Sequence, residues 1–330
     1  MQQFSTKIQE KILNIDNFDF NEVALELFHF QYEHNLVYQQ FVDLLKVKVQ
    51  KIEHYLQIPF LPISFFKSHS ILIENAATQK IFESSGTTQQ TTSKHYVTDL
   101  SIYEKNFSHI FRKFYGNAND YIILALLPSY LERDTSSLVY MVQHLIAQSN
   151  NEHSGFYLND LNALQKKLVV LKNQPKKILL IGVTFALLDF AEQFPMDLQN
   201  ILIMETGGMK GRRNEMTRME VHSILKNAFK VNAIHSEYGM TELLSQAYSK
   251  GNGIFETTAQ LKILRRDIYN PLNVSESVGR GALNVIDLAN IYSCAFIATQ
   301  DVVSILGNNI VEILGRTDNA DIRGCNLLVV

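Results

Sequence analysis

Four separated segments carry residue types that could act together on a phosphorylated ligand. The first, Ile81-Phe82-Glu83-Ser84-Ser85-Gly86-Thr87-Thr88, is an apolar lead-in ending in small hydroxyl residues around one glycine. Hydroxyls and bare amides in a tight loop make an anion cradle, and glycine lets the backbone approach closely. No Gly-Lys-Ser/Thr follows, so this is not a Walker loop. The second, Tyr238-Gly239-Met240-Thr241-Glu242, follows the apolar run Val231–Ile234. Its tyrosine can stack on a base, and its carboxylate suits a hard cation such as Mg2+ beside a triphosphate. In the third, Ala298-Thr299-Gln300-Asp301, the aspartate can accept both hydroxyls of a ribose. In the fourth, Gly315–Gly324, Arg316 can grip a ribose or phosphate through charge-assisted bonds. Taken singly, each has a plainer reading: a Ser/Thr-rich turn, a capped helix start, a turn aspartate, a surface ion pair.

In this chain order the segments resemble the motifs of the adenylate-forming superfamily, which includes acyl-CoA synthetases, peptide-synthetase adenylation domains and luciferases. The hydroxyl-rich phosphate loop matches Ser84, Ser85, Gly86, Thr87 and Thr88. The aromatic-Gly-x-Thr-Glu motif matches Tyr238–Glu242, Thr-x-Asp matches Thr299–Asp301, and the Gly-Arg-x-Asp hinge matches Gly315–Asp318. Within the superfamily the chain is most similar to the acyl-protein synthetases (long-chain-fatty-acid–protein ligases) of bacterial bioluminescence fatty-acid reductase complexes. That likeness rests on the Phe-rich run LFHFQYEHNLVYQQF, on PFLPISFFK, on SSGTT with a following Ser93-Lys94-His95, on Thr206-Gly207-Gly208-Met209-Lys210, and on Ile322-Arg323-Gly324-Cys325.

The resemblance implies an adenylate-forming ligase using ATP and Mg2+ on a fatty or other carboxylic acid. It implies that Ser84, Ser85, Gly86, Thr87 and Thr88 hold phosphates and that Gly207, Gly208, Tyr238 and Gly239 line the nucleotide. Thr241 would contact the α-phosphate, Glu242 would bind the metal, and Asp301 and Arg316 would fix the ribose. Cys325 becomes the candidate acyl acceptor, with Arg323 as its cationic neighbour. Coenzyme A, an acyl-carrier protein or a reductase partner are the other destinations. Two alternatives stand beside this: a CoA or carrier-protein ligase of the phenylacetate type, and a non-catalytic relative that binds nucleotide or acyl groups. The chain departs from the common loop pattern Gly-x-Pro-Lys, having Gln89-Gln90-Thr91-Thr92 with Lys94 nearby. The mobile C-terminal domain and its lysine are expected to be absent. Charge at the α-phosphate would then fall to Mg2+ on Glu242, to Lys210 or to Arg316. One such contact is worth about 3–4 kcal/mol of transition-state stabilisation, so a slow enzyme or one completed by a partner is expected.

Positioning these segments calls for an α/β fold. Short apolar runs at Ile122–Leu127, Ile178–Ile181, Ile201–Met204 and Val231–Ile234 alternate with amphipathic stretches near 101–115, 136–149, 185–194 and 213–229. Buried strands alternating with helices predict a parallel-rich sheet. The expected layout is one large adenylate-forming domain over 1–330. It comprises a helical N-terminal cap (1–75), an α/β nucleotide-binding core (76–250) and a small β-rich subdomain (251–330) ending at the hinge motif. Asn21 is the expected cap of an early helix. The prolines of Pro59–Phe66 predict an extended segment.

The 330 residues suffice for a large core. With 46% hydrophobic and 19% charged residues, the chain reads as globular rather than disordered. A net charge of −3 gives no footprint for nucleic acid. The polar start is not a signal peptide, and no apolar run reaches membrane-span length. Two cysteines, Cys294 and Cys325, need no disulfide framework, so the cytoplasm is the expected location. The histidines, His29, His34, His95, His144 and His222 among them, are scattered, and no Cys/His pairing has zinc spacing.

Overall fold

The computed structural model describes residues 2–84, 91–127, 134–207 and 216–316. The chain divides into two compact units. The first takes residues up to Asn106, the short stretch Thr241–Ser245, and residues from Glu256 on; the second takes Phe107–Met240 and Gln246–Phe255.

The first unit opens with helices α1 (Gln2–Leu13), α2 (Phe20–His34) and α3 (Leu36–Leu44). Helix α2 is capped by Asp19, whose carboxylate accepts from the Glu22 amide at 2.9 Å. Asn21, the expected cap, sits one residue inside the helix. Its side chain donates to the Glu53 carbonyl and accepts from the Tyr55 amide, tying α2 to a segment more than thirty residues away. Asn35 caps α3. The aromatic density of this region goes into packing, with Phe28, Tyr38 and Phe60 surrounding Phe296. The proline-rich stretch forms strand β1 (Leu61–Pro62) and then, against expectation, one helical turn, α4 (Phe65–Ser68). Both prolines precede that turn, so neither blocks it. An antiparallel hairpin follows, β2 (Lys80–Glu83) with β3 (Lys94–Val97), pairing Glu83 with Lys94 at its open end. Helix α5 (Leu100–Tyr115) leads out.

The second unit is built from β4 (Tyr121–Leu126), α6 (Ser137–Ser149), β5 (Gly155–Phe156), α7 (Leu161–Leu171), β6 (Lys177–Val183), α8 (Thr184–Gln193), β7 (Ile201–Thr206), α9 (Arg218–Phe229), β8 (His235–Tyr238), β9 (Ala247–Ser249) and β10 (Ile254–Glu256). Its strand order is β10-β9-β8-β7-β6-β4-β5. Strands β8, β7, β6, β4 and β5 run parallel, and β9 is antiparallel to β8. All six residues of β4 are buried, as a strand covered on both faces requires. The apolar run Val231–Ile234 is not a strand. Lys230 adopts a left-handed φ of 57° that ends α9, and the strand begins at the polar residues His235–Tyr238.

Returning to the first unit, β11 (Leu261–Arg266), β12 (Val274–Ser275), β13 (Gly279–Asp287), β14 (Phe296–Gly307) and β15 (Ile310–Arg316) form an antiparallel set in the order β12-β11-β13-β14-β15. Strand β1 adds in parallel to β14. No helix among the described residues is long and apolar enough to cross a membrane.

Candidate active site

In the first unit, three sequence-distant segments meet. Register across β14 and β15 sets Asp301 opposite Arg316, and the guanidinium Nε lies 3.6 Å from Asp301 Oδ1. At the end of the β2–β3 hairpin, the Ser93 amide donates to Ser84 Oγ at 2.9 Å, and the Ser84 amide donates to the Ser93 carbonyl. The Ser93 hydroxyl in turn donates to the carboxylate of Glu242, which is only 5% exposed. Burial raises the Glu242 pKa; the Ser93 hydroxyl, its own amide and the charge of Arg316 pull the other way, and Asp301 adds to the rise. Ser84, Glu242, Asp301 and Arg316 are therefore linked through one network.

The turn bearing Thr241 and Glu242 is held from several sides. His95 Nδ1 lies 2.8 Å from the Thr241 carbonyl, and Asn290 Nδ2 donates to the Glu242 carbonyl at 2.7 Å. Lys94, the candidate substitute for the loop lysine, pairs with Glu83 across the hairpin at 3.7 Å. Ser85, Gly86, Thr87, Thr88, Gly208, Lys210, Arg323 and Cys325 lie outside the described residues.

The remaining expected residues belong to the second unit. Gly207 ends β7 with φ +70°, a conformation that favours glycine, and its carbonyl accepts from the Thr184 hydroxyl. Tyr238 closes β8 edge-on to Phe255, with ring centroids 6.2 Å apart. A Cβ at Gly239 would fall 2.6 Å from Glu237 Oε1, so a side chain there would displace Glu237.

Around these strand ends lies a buried network that sequence reasoning missed. Glu205 accepts from the Thr184 hydroxyl at 2.9 Å and faces Arg218 Nε at 3.4 Å and His222 Nε2 at 3.5 Å. Burial would raise its pKa, but His222, Arg218 and Ser236 together hold it below the usual carboxylate value. Glu237 has the Thr206 hydroxyl as donor and no such cation; burial, reinforced by the Glu205 charge, pushes it up to about 7. These residues sit at the carboxyl ends of parallel strands, where open α/β sheets place ligands. The sequence signal for it was slight: polar residues directly after the apolar runs Ile201–Met204 and Val231–Ile234.

No family model and no curated protein matches the chain. Solved structures do. The McyG A-PCP protein complexed with phenylalanyl-adenylate superposes with a TM-score of 0.52 at 13% identity, covering 84% of this chain and 54% of that one. The fold is that of the adenylate-forming enzymes. Looser matches are the Bacillus subtilis O-succinylbenzoate coenzyme A synthetase in complex with AMP (TM-score 0.47, 14% identity, 76% of this chain and 64% of that one) and the fatty acyl-adenylate ligase from L. pneumophila in complex with acyl adenylate and pyrophosphate (0.44, 15%, 75% and 52%). The chain thus spans about half to two thirds of the length of these proteins.

A divalent cation such as Mg2+ would fit beside Glu242. This residue is a buried carboxylate whose pKa burial has raised, so a nearby cation would relieve the cost of its charge. Among the described residues no cluster of three or more His, Cys, Asp or Glu could cage a metal. One protein carboxylate, with phosphate oxygens and water completing the shell, is how Mg2+ is commonly held.

Proposed function

We propose that this protein uses ATP and Mg2+ to activate a carboxylic acid, a fatty acid by family likeness, as an acyl-adenylate, and then passes the acyl group to a thiol. The observation that carries this reading is the linkage of Ser84, Glu242, Asp301 and Arg316 within a single unit, through Ser93.

In the first step a carboxylate oxygen of the acid attacks the α-phosphorus, the bond to the β-phosphate bridge breaks, and pyrophosphate leaves with the electron pair. The nucleophile is already ionised at neutral pH, so the protein's task is positioning and charge stabilisation. Ser84 and the hydroxyls of Ser85, Thr87 and Thr88 would hold the outer phosphates, and Thr241 would hold the α-phosphate. Asp301 would accept the ribose hydroxyls and Arg316 would steady the ribose. Bound at Glu242, Mg2+ supplies neutralisation of polyphosphate charge. In the second step a thiolate attacks the acyl carbon and AMP leaves; Cys325 is the proposed acceptor, with coenzyme A or a carrier protein as the alternatives. A partner reductase is a fitting consumer of such a thioester.

Acid-dependent exchange of labelled pyrophosphate into ATP tests the first step. Wild-type protein should catalyse exchange with at least one member of a panel of fatty and aromatic acids. Glu242→Gln should lower it about 100- to 1000-fold, the scale for removing one charge-stabilising contact. No exchange with any acid would refute adenylation.

A further inference from the structure

Residues Thr241–Ser245 pack with the first unit, while the chain on either side of them packs with the second. Buried polar side chains from other parts of the first unit grip this short stretch. Asn106 Nδ2 donates to the Leu244 carbonyl at 2.8 Å. Asp287 accepts from the Leu244 and Ser245 amides at 2.6 and 3.0 Å and from the Ser245 hydroxyl at 2.6 Å. Asn290 holds the Glu242 carbonyl and His95 holds the Thr241 carbonyl. All four gripping side chains are at most 1% exposed.

His95 differs from the other three in where it comes from. It lies on β3, two residues beyond Ser93, in the hairpin that also holds Ser84. That strand touches the turn twice: Ser93 reaches the Glu242 carboxylate, and His95 reaches the Thr241 backbone. Because a carbonyl can only accept, Nδ1 must carry the proton. Burial lowers the His95 pKa to about 4, outweighing the bonds to the Thr241 backbone and the Asn290 side chain, so the ring stays neutral and keeps this one tautomer at neutral pH. Phe66 meets the ring edge-on at 5.9 Å and fixes its plane.

We propose that His95 is a positioning residue that locks the β2–β3 hairpin to the Thr241–Glu242 turn, keeping Ser84 and the metal-holding acid in one register. Its catalytic consequence rests on the adenylation reading; the lock itself does not.

Two substitutions separate the lock from simple core filling. Asparagine puts an amide N–H near the position of Nδ1, whereas glutamine reaches toward the position of Nε2. Hydrogen–deuterium exchange over 241–245 in the full chain should rise about tenfold or more in His95→Gln, while His95→Asn stays within about threefold of wild type, since protection reports local opening. Exchange in α2 should move in neither. In pyrophosphate exchange, His95→Gln should lose about 10- to 100-fold in kcat with the KM for the acid unchanged, as misplacement of a catalytic group predicts, and His95→Asn should recover most of it. If both variants open the turn equally, or neither does, the lock is refuted. If the difference in hydrogen exchange appears while wild-type protein exchanges no pyrophosphate, the lock stands and the adenylation reading falls.

Discussion

A buried carboxyl group titrates where its neighbours let it, and Glu205 and Glu237 show both directions within one network. Arg218 and His222 stabilise the charge on Glu205, while Glu237 faces that charge with only a hydroxyl donor. The folded-state pKa of Glu237 lies near 7, above its ordinary value of 4.5. A raised pKa means that the folded state prefers the protonated acid. Its contribution to stability is therefore full below pH 4.5 and is lost as pH rises through 7. At about 1.4 kcal/mol for each pKa step, the loss approaches about 3 kcal/mol. Glu237→Gln keeps an acceptor for Thr206 and removes the charge. Melting curves should show the variant gaining stability at pH 8 and gaining almost nothing at pH 4.5; an equal gain at both would show that Glu237 is not the titrating group. None of this was legible in the sequence, where Glu205 ends an apolar run and Glu237 precedes a recognised motif. Their coupling depends on strands β7 and β8 lying side by side, with Glu205 in register with Ser236.

At the scale of elements, what could be read was what periodicity and burial control. The runs forming β4, β6 and β7 are apolar because both sheet faces are covered, and that pattern survives in one dimension. Strand β8 is polar in part because Ser236 and Glu237 serve the Glu205 network, so apolarity points to the residues before it instead. The grip on the Thr241–Ser245 turn was hidden because Asn106 and His95 lie well over a hundred residues away in sequence. The β-rich set shows how closely such elements must approach. A Cβ on Gly281 in β13 would fall 2.6 Å from the Arg266 carbonyl of β11, which cannot give way as a side chain can. The Arg266 guanidinium joins these strands by donating to the Leu283 carbonyl, to Asn284 Oδ1 and to the carbonyl of Thr299, two residues before the candidate ribose acid Asp301. Gly281→Ala should therefore cost about 1–3 kcal/mol, the usual range for overpacking, and lower the melting temperature. Gly307→Ala in β14 meets nothing within 4 Å and is the control. Equal melting points for the two would mean that β11 and β13 are not held this close.

At the scale of the whole molecule, the proposed second step needs a thiol, and the cysteines of the given sequence differ as candidates. The chain has two cysteines. Cys294 is fully buried, its Sγ donates to the Phe296 carbonyl at 3.4 Å, and burial pushes its pKa up to about 12. The thiolate is the nucleophile, and at pH 8 such a group is ionised in only about one molecule in 10,000. Of these two, Cys325 is therefore the one we propose as acceptor in self-acylation. Incubation with ATP, Mg2+ and an acid that supports exchange should add one acyl group to the intact protein, mapped by peptide mass to Cys325. Cys325→Ser should lose the adduct and keep pyrophosphate exchange, while Cys294→Ala should keep both. An adduct that survives in Cys325→Ser removes Cys325 as acceptor. Exchange with no adduct, but with a soluble thioester once coenzyme A is supplied, would instead assign the second step to an external thiol.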